Sequence, residues 1–153
     1  MKFDTAYSFH NGVALWKERR LYEWIIGVFD APKVKIKAGS TGDIRDHVKN
    51  ELGDKGWAFN VRIDPAVNLN VFARKSDIAF QIQTGNISRY AYDILKIQHL
   101  YFKKEIEVAA LAVPTRETAN VLGSAVVNDK NVWNELNVFD RTITVPIMII
   151  AFK

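Results

Sequence analysis

A long apolar run constrains the fold of this chain more than any other feature of its sequence. Residues 106–113 are almost entirely apolar after the first positions, which is typical of a central strand covered on both faces of a sheet. Apolar residues recur at helical spacing over 87–104, immediately before this run. A strand that is buried on both faces needs a layer of other elements on each side of its sheet. We therefore expect helices to pack on both faces of that sheet.

Three short runs upstream alternate apolar and polar residues, which is the period of a half-buried strand. They lie at 57–63, 67–72 and 78–83, and the segments 64–65 and 74–77 between them carry turn residues. The three runs therefore predict an antiparallel meander. A helix between the third and fourth strands implies a crossover connection, so the chain is predicted to form an α/β domain with a mixed central sheet.

The remaining segments complete a single predicted domain, 1–153, because the sequence has neither an internal repeat nor a linker. Pro146 has no amide donor, which predicts that the last strand lies at a sheet edge or carries a bulge there. The other predicted elements are helices at 13–29, 43–52, 114–123 and 132–136, an extended segment at 33–37, and a final strand at 143–152.

Composition excludes several classes of site. The chain has no cysteine, which excludes a disulfide scaffold, a thiolate zinc site and a cysteine nucleophile, and its three histidines are widely spaced. Its net charge is +4 and its isoelectric point is about 9.3, a balance found in many nucleic-acid-binding domains. No apolar run approaches the length of a membrane span, so we expect a cytoplasmic protein with no membrane partner.

Several segments occur together in an order that points to one family. They are IAFQIQTGNISR at 78–89, DILK at 93–96, VKNEL at 48–52, Gly-Trp at 56–57, and NVFD at 137–140 followed by a Val-Pro strand. In these residues the chain resembles the BglII/BstYI group of type II restriction endonucleases. The resemblance implies a PD-(D/E)XK nuclease-like fold, in which helices flank a mixed central sheet, and Mg²⁺-dependent hydrolysis of phosphodiester bonds in double-stranded DNA.

The same resemblance implies where a metal site would lie. The family holds Mg²⁺ with an Asp on the second strand of the meander and with Glu-x-Gln on the third, whose middle residue lends its backbone carbonyl. These positions correspond to Asn70, Gln81, Ile82 and Gln83, so the catalytic positions are Asn70, Gln81 and Gln83 and the metal ligands are Asn70, Gln81 and Ile82. Amides replace both acids, which predicts weak Mg²⁺ binding and poor or absent cleavage. Restoring both acids should recover cleavage in a recently inactivated nuclease.

Two alternatives stay open for these positions. Asp64 or Asp77 could serve as a displaced acid, although both lie in predicted turns. Gln81 and Gln83 could also be ordinary polar residues on the open face of a strand.

Four residues are predicted to contact DNA. Arg89 begins the long helix, where it could face a backbone phosphate. The resemblance implies that the polar loop at 123–131 enters the major groove, where Ser124, Asn128 and Lys130 could reach base edges. The competing interpretation is a plain surface loop with a helix cap at Asn131.

Two classes of function follow from these observations. The first is a type II restriction endonuclease that acts on a short palindrome as a homodimer, through the long helix or the first helix, with its catalysis impaired. The second is a non-catalytic DNA-binding protein or subunit on a degenerate nuclease fold. The amides could be natural or introduced, and a basic α/β protein without a DNA role is the remaining possibility.

Overall fold

The computed structural model describes residues 1–153, and six strands form its one sheet. The strands are β1 (Phe3–Phe9), β2 (Ala58–Arg62), β3 (Asn70–Lys75), β4 (Ile78–Ile82), β5 (Val108–Pro114) and β6 (Ile147–Phe152). The helices are α1 (Gly12–Glu18), α2 (Tyr22–Phe29), α3 (Thr41–Asp54), α4 (Tyr90–Phe102), α5 (Arg116–Leu122) and α6 (Asp129–Val138), with a 3₁₀ turn at Ile87–Arg89. None of the helices is long and apolar enough to cross a membrane.

The strand order across the sheet is β1-β6-β5-β4-β3-β2. β2, β3 and β4 pair antiparallel, β4, β5 and β6 pair parallel, and β1 pairs antiparallel with β6. The predicted meander and mixed sheet are therefore confirmed. α4 is the crossover between β4 and β5, which places its first turn beside the end of β4.

The side chains of β5 alternate between two hydrophobic cores, one on each face of the sheet. Val108, Ala110 and Ala112 pack in the core that α1, α2 and α3 cover. The intervening residues pack in the core that α4 and α6 cover. Every residue of β5 is buried, which confirms the strand covered on both faces that the apolar run predicts.

The first helix, predicted to be continuous over 13–29, is divided into α1 and α2. Arg20 adopts a left-handed φ of 57°, and the N–H of Leu21 donates to the carbonyl of Trp16 at 3.1 Å. This arrangement closes α1 and turns the chain before α2 begins. Both helices can then cover the same face of the sheet.

The strand predictions differ from the structure in three places. Residues 33–37 form no strand, because Lys33 and Val34 lie in a turn and a bend and 35–37 have no regular structure, and β1 was not predicted at all. Pro146 does not mark an edge, because β6 lies between β1 and β5 in the sheet. Pro146 directly precedes β6, and its carbonyl accepts the N–H of Ala109 at 2.9 Å. It thus bonds to β5 through its carbonyl, for which the missing N–H of proline is no obstacle.

Candidate functional site

A polar cleft of about 740 Å³ opens where β4 ends. α3, the loop after β4 and the first turns of α4 form its walls. Three cations, Arg45, Arg89 and Lys96, line this cleft, whereas Asp93 is the only carboxylate among its lining residues. Three positive charges therefore face one negative charge.

Asp93 is buried and both of its oxygens are engaged. Gln83 Nε2 donates to Asp93 Oδ2 at 2.9 Å, and Lys96 Nζ lies 2.6 Å from Asp93 Oδ1. Lys96 also donates to the carbonyl of Asn70 at 2.9 Å. These bonds connect α4 to β3 and to the end of β4. Both oxygens of Asp93 are therefore already bonded to side chains of the protein.

Gln81 is bonded to the neighbouring strand. Its Oε1 accepts the backbone N–H of Phe72 at 2.8 Å. The β3–β4 ladder pairs Ala73 with Phe80, so the same register brings Phe72 opposite Gln81. Asn70 lies two residues further along β3 and outside the lining of the cleft. The residue that faces Gln81 across the hairpin is therefore the apolar Phe72 and not Asn70.

Arg45 reaches into the cleft from α3. Its Nη1 donates to the carbonyl of Ile82 at 3.0 Å, and its guanidinium lies over the ring of Phe72 with 5.0 Å between the carbon and the ring centroid. Burial lowers the pKa of Arg45, and the negative charges of Asp93 and Asp46 only partly oppose this effect. A half-buried cation is therefore bonded to the carbonyl that, by the family resemblance, would be a metal ligand.

The two displaced-acid candidates lie elsewhere. Asp64 accepts the N–H of Ala66 at 2.8 Å within the loop after β2. Asp77 is in the turn at the opposite end of β4, where Arg19 pairs with it. Neither residue lines the cleft, so the structure does not favour a displaced acid.

The predicted DNA-contacting segments are adjacent in space. Ile87 donates its N–H to Ala125 at 2.8 Å, which joins the loop after β4 to the polar loop before α6. Arg89 and Ser124 are both exposed near this junction. Their roles in DNA binding stay predictions, but the fold brings the two segments together at the end of the sheet where β4 ends.

Asn128 and Lys130 are engaged by the protein itself. Asn128 is buried as the N-cap of α6, where its Oδ1 accepts the N–H of Asn131 at 3.1 Å. Lys130 is exposed and donates to the hydroxyl of Tyr7 at 2.8 Å, a bond that raises the pKa of Lys130. The cap is therefore Asn128 and not Asn131, and the base-reading role of Asn128 and Lys130 stays a prediction.

A mixed sheet whose antiparallel hairpin leads into parallel strands, with a polar cleft where the hairpin ends, is the architecture of type II restriction endonucleases. The family model described as "Restriction endonuclease BglII/BglIII" matches residues 5–152. The chain therefore belongs to the BglII/BglIII restriction endonuclease family. No protein of curated function matches it.

Two crystal structures share this fold. BglII complexed with a DNA 16-mer superimposes with a TM-score of 0.79 and 17% identity, over 99% of this chain and 76% of that chain. Free BglII superimposes with a TM-score of 0.67 and 20% identity, over 100% of this chain and 80% of that chain. They confirm the predicted nuclease-like α/β fold.

The cleft does not fit the Mg²⁺ that the family generally uses. Mg²⁺ is held mainly by carboxylates, but Asp93 is already paired and Gln81 Oε1 accepts a backbone N–H. The Ile82 carbonyl accepts Arg45. Nowhere in the chain do three or more His, Cys, Asp or Glu side chains gather in a way that could hold a metal ion.

Arg45 was not predicted as a site residue from the sequence. Its signal was indirect, since Ile44, Val48 and Leu52 form the buried stripe of α3 and Arg45 flanks that stripe. The sequence does indicate an ion pair between Asp93 and Lys96, because the two residues are three positions apart in a predicted helix. Only the packing of α3 against the end of β4 brings Arg45 and Lys96 to the same cleft.

Proposed function

We propose that the chain is a DNA-binding member of the restriction endonuclease family that binds double-stranded DNA without hydrolysing it. The observation that carries this proposal is the charge of the cleft, in which Arg45, Arg89 and Lys96 face the single carboxylate of Asp93. A cleft with this balance attracts phosphate and repels a divalent cation. A cytoplasmic location, expected from the sequence, is part of the same proposal.

Two further observations support duplex DNA as the partner. A crystal structure with the same fold over nearly the whole chain is that of BglII complexed with a DNA 16-mer. The chain also carries a net charge of +4, which favours association with a polyanion. A duplex titration over a salt series tests the proposal, because counterion release makes affinity fall steeply with salt. Absence of duplex binding even at about 50 mM salt would refute it.

We predict that Arg89→Gln weakens binding to all duplex sequences alike. Arg89 is exposed at the rim of the cleft, where a phosphate contact would position the DNA without reading its bases. The slope of log affinity against log salt should fall by about 0.9, the value for one lost phosphate contact. Fluorescence anisotropy with two unrelated duplexes measures both effects.

Arg20→Gln is the matched control for this variant. Arg20 is also exposed, and it follows Arg19, whose partner Asp77 lies at the opposite end of β4 from the cleft. The control removes the same charge from a remote surface, so its salt slope should match that of the unaltered chain. Equal slopes for both variants would show that Arg89 makes no phosphate contact.

We also propose that the chain forms a homodimer through α4 and α6. Leu95 and Phe102 on α4 are 55% and 68% exposed, Val138 at the end of α6 is 75% exposed, and Phe139 directly after α6 is 51% exposed. Apolar side chains this exposed on neighbouring helices are typical of a surface that a partner covers. The other candidate, the first helix, is less suited because Trp16 is fully buried in the fold.

We predict that Leu95→Glu converts the dimer to a monomer. Leu95 lines the groove between α4 and α6, where a buried carboxylate without a partner would oppose association. Analytical ultracentrifugation over a concentration series measures the change. Val121→Glu is the control, because Val121 is 50% exposed on α5 and does not line that groove. An unaltered chain that is monomeric at every concentration, with and without DNA, would contradict the proposal.

A further inference from the structure

Arg45 is a cation with unused hydrogen-bonding capacity. The guanidinium has five N–H donors, and the structure gives one hydrogen bond from Arg45 to the protein, that of Nη1 to the carbonyl of Ile82. No carboxylate lies within salt-bridge distance of it, although Arg19 and Arg74 each have such a partner. Asp93 and Asp46 act on Arg45 only from beyond salt-bridge distance, and a half-buried charge without an ion-pair partner is costly, which indicates that the cleft is completed by an anion.

The position of Arg45 suits a phosphate group. Contact with Phe72 fixes the plane of the guanidinium, and the bond to Ile82 fixes one of its edges. The remaining donors form a planar fork, which matches two oxygens of one phosphate group. Arg89 and Lys96 line the same cleft and add positive charge.

We propose that Arg45 takes the place of the metal ion, so that this cleft binds a phosphodiester group of the DNA backbone without any divalent cation. The inference rests on the proposed function, since it names the group of the DNA that the cleft holds. The carbonyl of Ile82, assigned from the sequence to a metal ion, is bonded instead to a permanent cation. A divalent cation would have to displace that charge before it could bind.

Duplex titrations in a chelator and in Mg²⁺ test this inference, with fluorescence anisotropy of a labelled duplex of mixed sequence as the readout. At matched ionic strength the unaltered chain should bind no more tightly in Mg²⁺ than in the chelator, since Mg²⁺ acts only as a competing counterion. Arg45→Gln should weaken binding in the chelator about tenfold, because it removes charged hydrogen bonds to the phosphate. Arg20→Gln, the remote control defined above, should weaken it no more than about twofold.

A second variant keeps the test decisive if Arg45→Gln destabilises the fold. Thermal unfolding identifies such damage, and Arg45→Lys is then measured in its place. Lysine keeps the charge but cannot present a planar fork, so Arg45→Lys should bind more weakly than the unaltered chain by a few-fold. Electron paramagnetic resonance of added Mn²⁺ should show no bound ion in the unaltered chain.

The outcomes separate this inference from the proposed function. Duplex binding that depends on Mg²⁺, bound Mn²⁺ in the unaltered chain, or equal affinities for the Arg45 and Arg20 variants would overturn the role of Arg45. DNA binding itself would stand in each of these cases. Absence of duplex binding by the unaltered chain would overturn both.

Discussion

Supercoiled plasmid DNA incubated with this chain and Mg²⁺ or Mn²⁺ is expected to remain uncut. Hydrolysis by the family depends on a metal ion that polarises the phosphate and activates water, and carboxylates must hold that ion. In this chain Gln81 and Phe72 occupy the positions that face each other at the end of the hairpin, and neither is an acid. Gel electrophoresis of the plasmid, with an active restriction endonuclease as the positive control, measures nicking and linearisation.

The structure also changes what is expected from restoring the acids. Asn70→Asp with Gln81→Glu should not recover cleavage, because Asn70 lies outside the cleft and the guanidinium of Arg45 remains at the carbonyl of Ile82. A carboxylate at position 81 would pair with that guanidinium before it held a metal ion. Site-specific cutting by the unaltered chain, or by this double variant, would show that the metal site lies elsewhere.

Gly12→Ala is expected to give the largest loss of stability of any single substitution considered for this chain. A Cβ at Gly12 would lie 2.2 Å from the carbonyl carbon of Ile147, so α1 or the start of β6 would have to move. Because the obstructing atoms are backbone, the free energy of unfolding should fall by about 3 kcal/mol, the upper range for overpacking. For a chain of this length the melting temperature should then fall by about 10 °C.

Gly27→Ala is the matched control for this substitution. A Cβ at Gly27 has nothing within 4 Å, and the residue lies in the last turn of α2 with a helical conformation. Alanine there should raise the free energy of unfolding by about 0.5 kcal/mol, because glycine is a poor helix former. Differential scanning calorimetry of the two variants measures the contrast. A Gly12→Ala variant that melts with the unaltered chain would contradict the close approach of α1 to β6.

The parallel centre of the sheet could be predicted from sequence because burial on both faces leaves an unmistakable pattern. β5 and β6 consist of apolar residues, and α4 between β4 and β5 shows clear helical spacing. β1 could not be predicted in this way. Only its last residue is buried, so its sequence carries little hydrophobic pattern and its pairing with β6 decides its conformation.

The register of the hairpin decided which residue faces Gln81. A separator at 74–77 would pair residue 73 with 78 and hence 70 with 81. The observed turn spans only Ser76 and Asp77, pairs Lys75 with Ile78, and so brings Phe72 opposite Gln81. Ser76 adopts a left-handed φ of 50°. This turn consists of Ser-Asp, without the Asn-Gly or Asp-Gly pair that marks a two-residue hairpin turn in a sequence, so the pattern could not fix the register.

Arg45 shows a second limit of prediction from sequence. Its bond to Ile82 joins residues 37 positions apart, on a helix and on the end of a strand. Local patterns identify α3 and β4 separately, but the angle at which α3 crosses the sheet comes from the packing of both cores. The amides at positions 81 and 83 were therefore visible in the sequence, whereas the cation beside them was not.

The place of β6 in the sheet has a consequence for how the protein folds as it emerges from a ribosome. Of these six strands β6 is synthesised last, yet it lies between β5 and β1, which is synthesised first of the six. Until residues 147–152 have left the exit tunnel, β1 has no partner and β5 has an open edge that other chains can pair with. In a nascent chain β1 therefore stays unpaired until β6 has been made. Synthesis that stalls before Ile147 is expected to leave a species that is prone to aggregation.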